Sequence, residues 1–277
     1  MKKFAAILIL VVAMSASAQF QQGGFGGGGF NIPGISGGRC LVPGTRRSWR
    51  DDDSERSRNT DQTGFVYGRL RYNVQPNWRG DIPWHHDYPD GDTMLPDALE
   101  RLTEVSTNPE AYQIVDIDGK ELFKYPFVYM AEPGFLDLHP ADIKNLREYL
   151  DRGGFLFIDD FRGRPGDESE MENLIVQLRK LYPNRELKPL PKTHQIFHTF
   201  FDIDPTNMLA PYKMSNDQGD PQFFGLSDDK DRLMIMVDYN NDLSEYWQAL
   251  EVQTCSLNES SMAVQLGINY AIYAMTH

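Results

Sequence analysis

YPFVYMAEPGFLDLHPADIKNLREYLDRGGFLFIDDFRGR, residues 125–164, decides the fold. It reads strand, turn, helix, turn, strand. Residues 127–130 are a short apolar run that stops at Glu132-Pro133-Gly134, where proline and glycine end a ladder. Pro140 stands where a first helical residue belongs, and Ile143, Leu146, Tyr149 and Leu150 recur at the spacing that gives a helix one apolar face. Gly153-Gly154 supplies the left-handed residue that closes such a helix. Phe155-Leu156-Phe157-Ile158 follows without polar alternation, as in a strand buried on both faces. Two buried strands joined by one helix imply a parallel pair with a right-handed crossover. Ligands of open α/β sheets sit beyond the carboxyl ends of such strands. Here those ends carry Glu132, Asp159 and Asp160.

Outward from this unit the chain divides into three parts. Residues 1–18 combine Lys2 and Lys3, an apolar core and Ala16-Ser17-Ala18, the pattern of a secretory signal cut after Ala18. That apolar run is shorter than the roughly 20 residues a spanning helix needs, so no membrane span is expected once the signal is cut. The mature product is therefore expected to be exported, to a periplasmic or extracellular location. Residues 19–64, rich in glycine and then in charge, cannot bury a core and read as a tether. Residues 65–277 make one domain. The formal charge of −13, about −15 without the two signal lysines, disfavours nucleic acid as a partner. Cys40 and Cys255 are the only cysteines; a bridge between them is permitted in an oxidising compartment, and Cys255 otherwise reads as a passive thiol.

Within the domain, the patterns predict a first strand over 65–72, a helix over 93–105 with Thr93 as N-cap, and a strand over 112–117. They further predict a helix over 168–182, strands over 222–226 and 233–239, and a last helix over 260–274 in which Asn269 caps a neighbouring loop. Asp242, Glu245 and Trp247 fall in an acidic, aromatic loop. The stretch WRGDIPWHHDYPDGD, residues 78–92, offers His85, His86, Asp87, Asp90 and Asp92 as nitrogen and oxygen donors for a divalent metal. Its spacing matches no defined metal motif, and the competing reading packs Trp84 and Tyr88 down with the histidines and acids solvated. No motif requires a cofactor; a divalent cation stays open. His194 lies on a proline-bounded loop, as a proton carrier or as a buried histidine satisfied by hydrogen bonds.

The segments WHHDYPDGDTMLPDALERLT, YPFVYMAEPG, YLDRGGFLFIDDF, LYPNRELKPLPKTHQIFH, DDKDRLMIMVDYNNDL and GINYAIYAMTH, in this order and spacing along the domain, resemble the bacterial family of domain of unknown function 4159. The resemblance implies the class I glutamine amidotransferase-like fold, a flavodoxin-like three-layer α/β/α sandwich with a mainly parallel sheet. Amidotransferases of that class hold a nucleophilic cysteine at the turn where this chain has Ile158-Asp159-Asp160-Phe161. Their oxyanion hole lies where this chain has Ala131-Glu132-Pro133-Gly134, and a carboxylate there repels a developing oxyanion. Glutamine hydrolysis is therefore not expected. The family's occurrence near genes for ATPases and von Willebrand factor A-domain proteins implies a role in the cell envelope.

Three functions remain as expectations. In the first, a binding or assembly module, Glu132, Asp159, Asp160, Asp87 and His194 face a small polar or sugar ligand, or a cell-envelope protein. Trp78, Trp84, Tyr88 and Trp247 then supply stacking surfaces. In the second, a hydrolase, Asp160 acts as base or nucleophile and His194 carries the proton. In the third, the acids fix the turn by accepting backbone N–H bonds. Repulsion among them is relieved by a proton, a cation or the donors Arg162 and Arg164.

Overall fold

The computed structural model describes residues 64–76, 82–108, 112–161, 169–211, 219–250 and 255–277. The expected signal, the tether apart from Gly64, Cys40, Trp78, Arg162 and Arg164 lie outside the described residues.

Seven strands form one sheet: β1 (Gly68–Arg71), β2 (Gln113–Asp116), β3 (Phe127–Ala131), β4 (Phe155–Asp159), β5 (Lys188–Pro189), β6 (Gln222–Ser227) and β7 (Leu233–Tyr239). Their order is β2-β1-β3-β4-β7-β6-β5. The first five in that order run parallel, whereas β6 is antiparallel to β7 and β5 to β6. The chain is thus an α/β domain with a mostly parallel, mixed sheet. Its helices are α1 (Asp90–Leu102), α2 (Pro140–Asp151), α3 (Ser169–Leu181), α4 (Leu243–Gln248) and α5 (Leu257–Thr276).

Side-chain alternation along the buried strands divides the core in two. Phe127, Tyr129, Phe155 and Phe157 face Leu95 and Leu99 of α1, Trp247 of α4 and Tyr270 of α5. Val128, Met130, Leu156 and Ile158 face Leu146 and Leu150 of α2 and Leu174 and Leu178 of α3. Helices therefore cover both faces, and the polar ends of the strands are left as the place where chemistry can sit. Burying a side chain the size of Phe157 or Leu156 contributes about 1.5–3 kcal/mol.

The turn from α2 into β4 shows how local sequence enforces this packing. Gly153 takes φ +110°, the left-handed value that ends the helix. At Gly154 a Cβ would collide with the Tyr149 ring, whose hydroxyl donates to the carbonyl of Phe155 at 3.1 Å. The αβ junction thus closes tightly enough for β4 to pair with β3 over its whole length.

Several boundaries differ from expectation. Helix α1 begins at Asp90, so Thr93 is no N-cap; its hydroxyl donates to the Asp90 carbonyl inside the first turn at 3.0 Å. Helix α5 begins three residues early. The acidic, aromatic loop around Trp247 is helix α4, whose N-cap Asp242 accepts the Glu245 N–H at 2.9 Å. Asn269 does cap a loop: its Oδ1 accepts the N–H groups of Phe200 and Phe201 at 3.1 and 2.8 Å. Cys255 is disulfide-bonded rather than a passive thiol.

Candidate functional site

The loops leaving β1, β3, β4 and β7 open at one end of the sheet, where parallel α/β sheets receive ligands. Four of the five non-glycine residues with left-handed backbone among the described residues lie in these loops, the fifth being Asp231 in the β6–β7 turn. Asp87, Glu132, Asp160 and Asn240 have φ of 59°, 47°, 59° and 56°. Left-handed backbone at residues other than glycine costs on the order of 1 kcal/mol or more each, and such outliers concentrate where function holds them.

The loop before α1 is tacked to β1 by Arg69. Its Nη1 donates to the carbonyls of Trp84 and His86 at 3.2 and 2.7 Å, while Nε and Nη2 grip Asp92 at 2.8 and 2.6 Å. This buried guanidinium also lies 4.8 Å from the centre of the Tyr129 ring. Held in this way, the loop turns His86 and Asp87 toward the strand ends. His86 Nδ1 is 2.7 Å from Asp160 Oδ2 and 3.5 Å from Asp87 Oδ1. With Asp242 the three make a quartet: one nitrogen and three carboxylate oxygens, all within 4.8 Å of one another.

Helix α4 supplies the layer behind. Ser244 Oγ accepts from the Tyr129 hydroxyl at 2.8 Å and stands 2.6 Å from Asp87 Oδ2 and 2.9 Å from Asp242 Oδ1, so its single proton serves one carboxylate at a time. Gln248 Nε2 donates to Asp87 Oδ1 at 2.6 Å and to Glu245 Oε2 at 2.8 Å. Asp159 Oδ2 accepts the N–H groups of Leu243 and Ser244 at 2.7 and 3.2 Å and so anchors the start of α4. The other oxygen of Asp159 and the carboxamide of Asn241 are buried without a hydrogen-bond partner among the described residues. Buried polar atoms of this kind are ordinarily satisfied by water or an ion.

Electrostatics follow from the crowding. Burial pulls the His86 imidazole down, but the carboxylates of Asp87 and Asp160 outweigh it and hold it well above the ordinary histidine value. Burial pushes Asp87 up, yet the His86 charge and bonds from His86 and Ser244 keep it below the usual carboxylate range. Burial, with Asp160 and Asp87 nearby, drives Asp242 well up. Burial and Asp87 push Glu245 up to about 7. Crowding and burial thus favour the protonated form of Asp242 and Glu245 beside the charged His86 and Asp87.

The quartet draws on three sequence candidates, His86, Asp87 and Asp160, and omits others. Of the histidine and acid stretch only His86 and Asp87 reach it; His85 packs on Trp84 and Asp92 is held by Arg69. His194 caps a short turn, accepting the Ile196 N–H at 3.2 Å, and no hydrogen bond or ion pair among the described residues joins it to the quartet. His86 occupies the place expected of His194. The stacking role of the aromatics is not seen: Trp247 is 0% exposed and donates to the Ala263 carbonyl, Trp84 is 5% exposed, and Tyr88 packs edge-on against Tyr112. Glu132 is buried at the end of β3 outside the quartet. Arg69 and Ser244 were missed. An arginine inside the apolar strand FVYGRLRY was the signal for the first, while Ser244 carried none.

A family model matches residues 67–275. The chain belongs to that family, Domain of unknown function (DUF4159). The DUF4159 match spans Arg69, every member of the quartet and helix α4, so the site lies wholly within the family's domain. No curated protein matches the chain.

Proposed function

We propose that this DUF4159 domain is a binding module built on a divalent-cation centre, held by His86, Asp87, Asp160 and Asp242. The observation that carries the reading is the convergence of four donor atoms within 4.8 Å. A six-coordinate ion with bonds of about 2.1 Å sets opposite ligands about 4.2 Å apart, within that limit. One imidazole with three carboxylates suits manganese, iron or zinc better than calcium. Four protein ligands leave room for an oxygen of a small polar or sugar ligand, or of a cell-envelope protein. The signal-like N-terminus supports an exported, periplasmic or extracellular setting. The parallel order β2-β1-β3-β4-β7 supports the flavodoxin-like, class I amidotransferase-like assignment, in which β1 and β3 flank the switch point. Asp160 stands where that class keeps its cysteine, which argues against amidotransfer.

The test is a calorimetric titration of the chelator-treated full chain with manganese, zinc, magnesium and calcium, paired with thermal melts. At a hundredfold excess over its dissociation constant an ion adds about 2.7 kcal/mol, a rise of several degrees. The rise is expected in the wild type and is lost in Asp160→Asn and Asp242→Asn. Absence of heat and of any shift with all four ions rejects the centre.

One contact favours a second reading, a hydrolase. His86 Nδ1 lies 2.7 Å from Asp160 Oδ2, an ion-pair distance within which an imidazole and a carboxylate can exchange a proton. Turnover of an ester or glycoside panel that persists in chelator and disappears in His86→Ala decides for it.

A further inference from the structure

We infer that Ser244 and Gln248 are positioning residues that determine which cation the centre prefers, an inference that rests on the proposed centre. Asp87 is the ligand they govern. Its Oδ1 takes the Gln248 amide at 2.6 Å, and its Oδ2 stands 2.6 Å from the Ser244 hydroxyl, whose proton it shares with Asp242, so both oxygens are engaged from helix α4 across the site. Both partners are themselves held. Ser244 Oγ accepts from Tyr129, and the second amide hydrogen of Gln248 goes to Glu245. The carboxylate plane of Asp87 is therefore set before any ion arrives.

Rigidity of this kind discriminates among ions. Calcium takes six to eight oxygens at about 2.3–2.6 Å and draws carboxylates into two-oxygen contacts by letting them rotate. Smaller first-row ions accept one oxygen per carboxylate at about 2.0–2.2 Å and tolerate a fixed shell. A carboxylate restrained by the Gln248 amide and the shared Ser244 hydroxyl answers the second need and resists the first. Outer partners of metal ligands typically change affinity 10–100-fold when removed.

The experiment titrates manganese and calcium separately into the full chain, by calorimetry, for wild type, Gln248→Leu and Ser244→Ala. Gln248 is half-buried, and leucine keeps its bulk. Manganese is expected to bind the wild type more tightly, and Gln248→Leu to lose about tenfold in manganese affinity with calcium much less affected, lowering the preference. An effect on folding alone leaves that ratio untouched. If Gln248→Leu melts several degrees early in chelator, Ser244→Ala carries the same comparison. Manganese affinity unchanged in both variants, or an equal loss for both ions, overturns the inference while leaving the centre standing. A wild type that binds neither ion removes the centre, and the inference with it.

Discussion

Arg69 and Asp92 form a two-bond ion pair, 2.8 and 2.6 Å, with both side chains shut off from solvent. The pair joins β1 to helix α1, and the guanidinium's remaining donors carry the carbonyls of Trp84 and His86. Removing one partner leaves the other buried and uncompensated, at a cost of about 3–5 kcal/mol. Arg69→Met should lower the urea midpoint accordingly, and the double change with Asp92→Leu should recover much of it. A single variant as stable as wild type contradicts this account of the loop.

Stability without cation should fall as pH rises toward neutrality. Burial and the Asp87 charge hold Glu245 up near 7 against about 4.5 in the unfolded chain. The folded state therefore binds this proton more tightly, and the stabilisation is fully present below about pH 4.5 and lost as pH passes about 7. Asp242 and Asp159, also raised by burial, act with the same sign. Melting temperatures of wild type in chelator, followed from pH 5 to pH 8, should slope more steeply than those of Glu245→Gln. Parallel slopes remove Glu245 from the explanation.

Asn269 fixes the loop before residue 203 from within α5. Besides the two N–H groups it accepts, it donates to the Phe201 carbonyl at 3.0 Å. Asn269→Ala removes three part-buried hydrogen bonds and should cost roughly 1–3 kcal/mol. Hydrogen exchange is the direct readout, since the amides of Phe200 and Phe201 should lose protection while those of β4 keep theirs.

How much of this was legible beforehand depended on which physical signal each residue carried. The β3–α2–β4 unit was readable because a helix with one apolar stripe stands between two strands buried on both faces. Helix α4 was not. Leu243, Ser244, Glu245, Tyr246 and Trp247 are all buried, so polar and apolar residues alike point inward and no stripe forms. Asp160 declared itself as a carboxylate at a strand end. The choice of His86 over His85 and His194 is three-dimensional. It depends on Arg69 pulling the His86 carbonyl inward, and on β5 lying two strands beyond β7, which places the His194 loop at the sheet edge.

The left-handed residues at the strand ends bear on how the domain ages in evolution. Asp87, Glu132, Asp160 and Asn240 hold a backbone that glycine adopts without steric penalty. A lineage released from the need for the site gains stability by the simplest route, drift to glycine at these positions, and ends with a firmer but silent fold. A glycine scan of the four, followed by chemical denaturation in chelator, measures how far the working protein stands from that endpoint. Stability that falls at all four positions shows that these side chains serve the fold first.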